Sequence, residues 1–219
     1  MSARVKIWDL PLRLTHWLQL GLLLVLLFSG YRGGEWLRLH MLCGEMLLTL
    51  LLFRLLWGFF GSETARFSGF VRTPAVVRRY LAGQLSERPV VGHNPLGGWM
   101  VLVLLLVLLL QVTSGLFATD LDSYLYDGPL AHWLTSAWSE RLTLWHLFNV
   151  KLILSLSLLH ACAIAAYRLF GHQHLLSAML SGFARFDRPV SAPLLAPLSR
   201  ALYCWLLALA VVLALLYLA

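Results

Sequence analysis

Five apolar stretches, each about as long as a bilayer is thick, constrain this chain more than any other feature. They run over about residues 12–30, 40–60, 97–117, 143–169 and 201–219. A helix crosses a hydrocarbon core with roughly 20 apolar residues, and in lipid it satisfies its own backbone hydrogen bonds. Composition agrees. Of 219 residues, 60% are apolar and only 12% are charged, with a mean hydropathy of +0.78. So few charges cannot clothe a water-facing surface. The expected fold class is an all-α membrane protein, and five spans leave little chain for a soluble domain.

The first stretch is preceded by Arg4, Lys6 and Arg13, as a cleaved secretory signal would be. It has no small-x-small cleavage pattern after Ser29 and carries His16 at its mouth, so it reads as a retained helix. Asp9 with Pro11 behind it makes a helix start, because aspartate caps free amides and proline is tolerated in the first turn.

The net charge of +7 raises nucleic acid or anionic lipid as partners, and its distribution favours membrane lipid. The N-terminus, the 61–96 loop (Arg66, Arg72, Arg78, Arg79, Arg88) and the 170–200 loop (Arg185, Arg188, Arg200) are basic. The 118–142 loop carries Asp120, Asp122, Asp127 and Glu140. This is the positive-inside pattern of an inner-membrane protein with a cytoplasmic N-terminus. Five spans then put the C-terminus in the periplasm. The short 31–39 loop, with Arg32, Glu35 and Arg38, is outward in this scheme and fits it least well.

Cys43, Cys162 and Cys204 each lie inside an apolar span, and none belongs to a C-x-x-C pair. A covalent c-type haem and an iron–sulfur cluster are therefore excluded, and the three read as packing residues. The 61–96 loop is broken by Pro74, Pro89 and Pro95, with an amphipathic piece from Val76 to Leu85 suited to headgroups. Trp133 and Trp138 suit an outer interface. A proline-rich stretch from Pro189 to Pro197 leads to the last span, which has no ionisable His, Asp, Glu, Lys or Arg after Arg200 and reads as an anchor or packing surface.

Ionisable residues within spans mark function, because burying them in hydrocarbon is costly unless something binds them. Four are histidines. His40 opens the second span and His146 the fourth, His160 lies deeper in the fourth, and His16 stands at the start of the first. His146 and His160 are 14 residues apart, about 21 Å of helix rise and nearly a whole number of turns, so they share a face at two depths. The second and fourth spans run in the same direction, which matches His40 to His146 at the outer level. The first span runs the other way and brings His16 to the inner level of His160. Two imidazoles per iron leave no open position and suit electron transfer. Zinc is a poor fit, because each level offers two ligands where zinc takes three or four.

Arg54 follows His40 by 14 residues and reaches the inner level, where a haem propionate would balance it; snorkelling to headgroups is the equal alternative. His93, at the entrance of the third span, is a candidate for an inner propionate or a quinone, or else an exposed loop residue. Glu45 and Lys151 each follow an outer histidine by five residues. The same rotation of both helices sends the two side chains apart, so no ion pair between them is expected. His132, His172 and His174 read as loop or interface residues.

At these residues the sequence resembles the bacterial cytochrome b561 family, which includes the b-type subunits of nickel–iron hydrogenases. The resemblance is carried by Val5-Lys-Ile-Trp-Asp-Leu-Pro through Thr15-His-Trp, Leu39-His-Met-Leu-Cys-Gly, Phe53-Arg-Leu-Leu-Trp-Gly, Gly92-His-Asn-Pro-Leu-Gly-Gly-Trp, Asp127-Gly-Pro-Leu-Ala and the pair His146 and His160. It covers about residues 4–182. It implies a four-helix transmembrane dihaem bundle holding two haem b through His16, His40, His146 and His160, and exchanging electrons between quinone and a redox partner. The fifth C-terminal transmembrane helix lies beyond that core. Residues 1–182 are thus expected to form the dihaem core, and 183–219 a proline-rich linker with the extra helix. The leading expectation is an electron conduit between the quinone pool and a periplasmic cytochrome c or a dehydrogenase or hydrogenase subunit, drawn to the acidic 118–142 loop. The alternatives are a superoxide or other small-donor:quinone oxidoreductase, and a haem-free membrane anchor or transporter subunit.

Overall fold

A computed structural model describes residues 3–84, 91–121, 126–171 and 173–217. Leu85, Arg88, Pro89, Asp122 and His172, which figure in the reading above, lie outside the described residues. The elements are β1 (Ala3–Lys6), α1 (Leu10–Arg32), α2 (Trp36–Phe60), α3 (Phe67–Phe70), α4 (Pro74–Leu81), α5 (Pro95–Leu116), α6 (Ser136–Leu169), α7 (Leu175–Ser181), β2 (Phe183–Phe186) and α8 (Leu198–Tyr217). Of these, α1, α2, α5, α6 and α8 are long and apolar enough to cross a membrane. The chain is a helical membrane protein, as its apolar runs require.

The spans carry apolar residues around most of their circumference, because the outer face meets acyl chains rather than water. Leu18, Leu24, Leu106, Leu158 and Leu213 are each more than half exposed. Along α8 the buried positions are Ala201, Cys204, Ala208 and Val212, small side chains of the kind that let membrane helices approach closely. Cys43 is also buried, whereas Cys162 is exposed and does not serve the packing role expected of it. At 34 residues α6 is the longest helix. It begins at Ser136 rather than near residue 143, and its length of about 51 Å exceeds a hydrocarbon core of about 30 Å.

Two compact units can be described, and each of the five long helices contributes to both. The first comprises Met1–Thr15, Arg54–Val103 and Ser157–Cys204. Its core holds Trp57, fully buried, with Ile7, Trp8, Ala65 and Phe70. Asp9 is buried but fully employed. One carboxylate oxygen accepts the Leu12 amide at 2.7 Å, capping α1, and the other accepts the Trp57 indole N–H at 3.0 Å. Strands β1 and β2 pair antiparallel, from Ala3 opposite Phe186 to Lys6 opposite Phe183. The turn that permits this is Gly182, at φ +87°, whose carbonyl accepts the amides of Ile7 and Trp8. Only glycine takes that backbone conformation without strain. The stretch expected as linker therefore begins with a strand tied to the N-terminus.

The second unit comprises His16–Phe53, Leu104–Leu156 and Trp205–Ala219. Leu47, Leu51, Leu130 and Ile153 are its largest fully buried side chains. The segment after α5 is fastened to it and to α6. Leu130 N–H donates to Leu116 O at 2.8 Å, and Thr143 Oγ1 accepts Thr119 N–H at 2.9 Å.

Candidate functional site

In the second unit the structure brings His40 of α2 and His146 of α6 together, their ring centroids 6.0 Å apart and their planes inclined at 76°. Each ring sits in a cradle supplied by a different helix, and the two cradles have the same design. On α1, Leu26 O accepts from His40 Nδ1 at 3.0 Å, Ser29 Oγ lies 3.3 Å from the same nitrogen, and Gly30 backs the ring. On α5, Gln111 O accepts from His146 Nδ1 at 3.0 Å, Ser114 Oγ lies 3.2 Å away, and Gly115 backs the ring. Both sets occupy positions i, i+3 and i+4, which adjoin on one helical face.

The chemistry of these contacts fixes the imidazoles. A backbone carbonyl can only accept, so Nδ1 carries the proton in both rings and Nε2 keeps its lone pair. This is the arrangement by which metal-binding histidines are oriented through their second nitrogen. The glycines are required by space. A Cβ on Gly30 would stand 3.0 Å from His40 Cε1, and one on Gly115 would stand 2.9 Å from His146 Cε1. Two imidazoles that share one metal, with metal–nitrogen bonds of about 2 Å, have centroids roughly 6 Å apart. The two imidazoles thus fit a haem iron, which His40 and His146 would hold between them without a further protein ligand.

One contact breaks the likeness of the cradles. The Gln111 side chain places its amide nitrogen 3.0 Å from His146 Nε2, and Asn149 Nδ2 holds Gln111 Oε1 at 2.9 Å and Val107 O at 2.9 Å. Nε2 has no proton to give, so the Gln111 amide is the donor. Position 26 on α1 is leucine and offers His40 nothing comparable.

The other predicted residues fall as follows. His16 belongs to the second unit and stands edge-on to Trp17 at 5.0 Å. His160 belongs to the first unit, 14 residues along α6 from His146. Glu45 and Lys151 form no ion pair with each other among the described residues.

Within the first unit, Arg54 is 5% exposed and does not snorkel. Its guanidinium packs over Phe67 and Phe70, with centroids 5.3 and 6.0 Å away, and donates to Ala65 O at 3.4 Å. The Asp9 carboxylate is its opposing charge at longer range. His93 is not an exposed loop residue. It lies between the rings of Trp8, at 4.7 Å, and Phe70, at 4.6 Å. Three separate sequence segments, around Trp8, Arg54 and His93, therefore share the aromatic group centred on Phe70.

Sequence reasoning missed Ser29, Gly30, Gln111, Ser114, Gly115 and Asn149. A signal was present, since Ser-Gly occurs twice inside apolar spans, where an interior glycine lowers helix stability and calls for a reason.

Comparison with known proteins identifies the family. The family described as prokaryotic cytochrome b561 matches residues 7–182. Among curated proteins, the chain is 25% identical to a probable Ni/Fe-hydrogenase B-type cytochrome subunit of Rhizobium leguminosarum bv. viciae, over 81% of this chain and 87% of the relative. It is 26% identical to a protein of the same description from Azotobacter chroococcum mcd 1, over 86% of this chain and 92% of the relative. No solved structure matches.

Proposed function

Because the chain belongs to the prokaryotic cytochrome b561 family, we propose that it is a dihaem conduit passing electrons between a hydrogenase-type redox partner and the quinone pool. Membrane electron transfer through haem b follows from the family itself. The observation that carries the finer reading is the His40–His146 pair, with both Nδ1 protons committed to carbonyls and the ring spacing of an axial pair. A bis-imidazole haem supplies one-electron transfer with no open coordination position. The protein's part is to fix the two rings through Nδ1 and leave both Nε2 atoms unprotonated.

We assign the second haem to His16 and His160 on the sequence spacing alone. Arg54 and His93 are the candidates for its propionates, or for quinone contact in the case of His93. The burial of Arg54 against Phe67 and Phe70, and the place of His93 beside Trp8 and Phe70, support that reading, because a buried cation favours an anionic neighbour. The relatives' descriptions as hydrogenase subunits support a hydrogenase as partner. The charge pattern supports an N-terminus in the cytoplasm and the acidic 118–142 loop outside.

A reduced-minus-oxidised spectrum of the purified protein tests the proposal. Two low-spin b-type components are expected, and His160→Ala removes one of them. A spectrum without any b-type signal contradicts the haem assignment, and loss of both components in His160→Ala contradicts the assignment of separate pairs. Reduction by a co-purified hydrogenase under hydrogen, followed by quinone-dependent reoxidation, tests the conduit in the direction from hydrogen to quinone.

A further inference from the structure

The fifth span has no part in the proposed electron path, yet its approach is built into the first unit with care. Leu194 and Glu63 exchange backbone and side-chain bonds: Glu63 N–H donates to Leu194 O at 2.9 Å, and Glu63 Oε2 accepts Leu194 N–H at 2.9 Å. Ser62 Oγ accepts Ala196 N–H at 2.9 Å. This strap leaves a cavity of about 210 Å³ lined by Arg66, Leu194, Leu195, Ala196, Pro197 and Arg200.

The two arginines are held in the same manner. Arg66 Nε donates to Gly61 O at 2.9 Å, and Arg200 Nη1 donates to Phe60 O at 3.2 Å. Each guanidinium thus spends one N–H on a carbonyl at the end of α2, and both arginines line the cavity. Glu63 is the acid of this segment, and its carboxylate is already occupied by Leu194 N–H. Accepting that amide leaves the Glu63 charge in place, so the two arginines beside it give the cavity a net positive charge.

Its position identifies the anion. The cavity lies where α2 ends at Phe60 and α8 begins at Leu198, which is headgroup depth for both spans. Beside it, Phe59 and Phe60 on α2 and Leu202 and Tyr203 on α8 are each more than half exposed, an apolar border suited to acyl chains. A free anion would use the arginines but have no use for that border.

We propose that this cavity binds the phosphodiester headgroup of an anionic glycerophospholipid, which fastens the start of the fifth helix to the end of the second. Arg forks suit phosphate oxygens, and basic pockets at the membrane surface bind anionic headgroups. Two basic residues near an anionic surface together give about a 30-fold preference over a zwitterionic lipid.

The test is native mass spectrometry of the full-length protein in detergent with equimolar phosphatidylglycerol and phosphatidylcholine. Retention of phosphatidylglycerol at about 30-fold preference is expected, falling to near parity in Arg66→Gln/Arg200→Gln and by about five-fold in each single variant. Leu195→Trp, which keeps both charges and fills the cavity, should also abolish the preference. If Leu195→Trp leaves it intact, the lipid reads charge without the cavity and the proposal fails. An equal loss in Arg78→Gln/Arg79→Gln on α4 would likewise assign the preference to diffuse surface charge. Inorganic phosphate at millimolar concentration should not displace the lipid or raise the melting temperature. If it does either as effectively as phosphatidylglycerol, the site takes a free anion and the lipid assignment is overturned.

Discussion

The cradle of His40 and the cradle of His146 are built alike, and their one difference separates what holds an imidazole from what covers it. In both, a carbonyl, a hydroxyl and a glycine at i, i+3 and i+4 of a neighbouring helix fix the ring through Nδ1. That common part appears twice, on unrelated stretches of sequence, so it is the part the chemistry demands. The Gln111 amide on Nε2, steadied by Asn149, appears once. It covers the lone pair that an iron would take, which makes His146 the guarded member of the pair and His40 the open one.

The largest effect should come from removing either ring. If His40 and His146 hold one haem between them, His40→Ala and His146→Ala would each remove one of its two protein ligands, so each should abolish one low-spin b-type component, about half of the total signal under the two-haem reading. The comparison predicts equal losses. Full haem content in one variant and loss in the other would show that the two rings do not share a metal.

The glycines come next. Gly30→Ala and Gly115→Ala put a methyl group 3.0 and 2.9 Å from the respective Cε1, closer than ring and methyl tolerate. Overpacking of this kind costs about 1–3 kcal/mol. Haem retention during a chelating detergent wash should fall by about ten-fold in each, with Gly115→Ala the more affected. Unchanged retention in both would falsify the close-packed cradle.

These two glycines also show where sequence reading stopped. The five spans were legible because hydrocarbon imposes a length and a composition that no soluble helix needs, and the observed bounds of α1, α2, α5 and α8 fall within a few residues of the apolar runs. The start of α6 was not, because Ser139 and Thr143 are buried through hydrogen bonds to Ala131 O and to Thr119 N–H rather than through hydrophobicity. His40 and His146 were legible as costly residues at one depth, and the structure places their rings 6.0 Å apart. Their cradles were not, since a carbonyl carries no sequence identity and a glycine declares its partner only once two helices are packed. The pairing of β1 with β2 joins segments some 180 residues apart and leaves no local signal in either.

The Gln111 difference can be removed from either side. Gln111→Leu gives the α5 cradle the residue that α1 carries at Leu26, while the backbone carbonyl that holds Nδ1 stays in place. Releasing one neutral hydrogen bond from Nε2 is worth about 1 kcal/mol, so haem should load onto the apoprotein about five-fold more readily. Leu26→Gln tests the converse, and a guarded His40 should take up haem more slowly. Stopped-flow uptake of added haem reads both changes. A slower Gln111→Leu would mean that the amide orients His146 for the iron rather than competing with it.

The smallest effect is expected from the hydroxyls, and it bears most finely on the likeness of the cradles. Ser29 and Ser114 each donate to a carbonyl of their own helix, at 2.7 Å to Val25 O and 2.9 Å to Gln111 O, and approach Nδ1 at 3.3 and 3.2 Å as the secondary acceptor. The main carbonyl bond survives in Ser29→Ala and Ser114→Ala, so each should lose only about 0.5 kcal/mol, seen as a roughly two-fold fall in haem affinity. The two losses should match, because the two contacts do. If Ser114→Ala loses several-fold more than Ser29→Ala, the extra belongs to Gln111, whose backbone carbonyl Ser114 shares with His146 and whose side chain covers Nε2. The double variant Ser114→Ala/Gln111→Leu would then restore parity with Ser29→Ala, which locates the whole asymmetry of the pair in one residue.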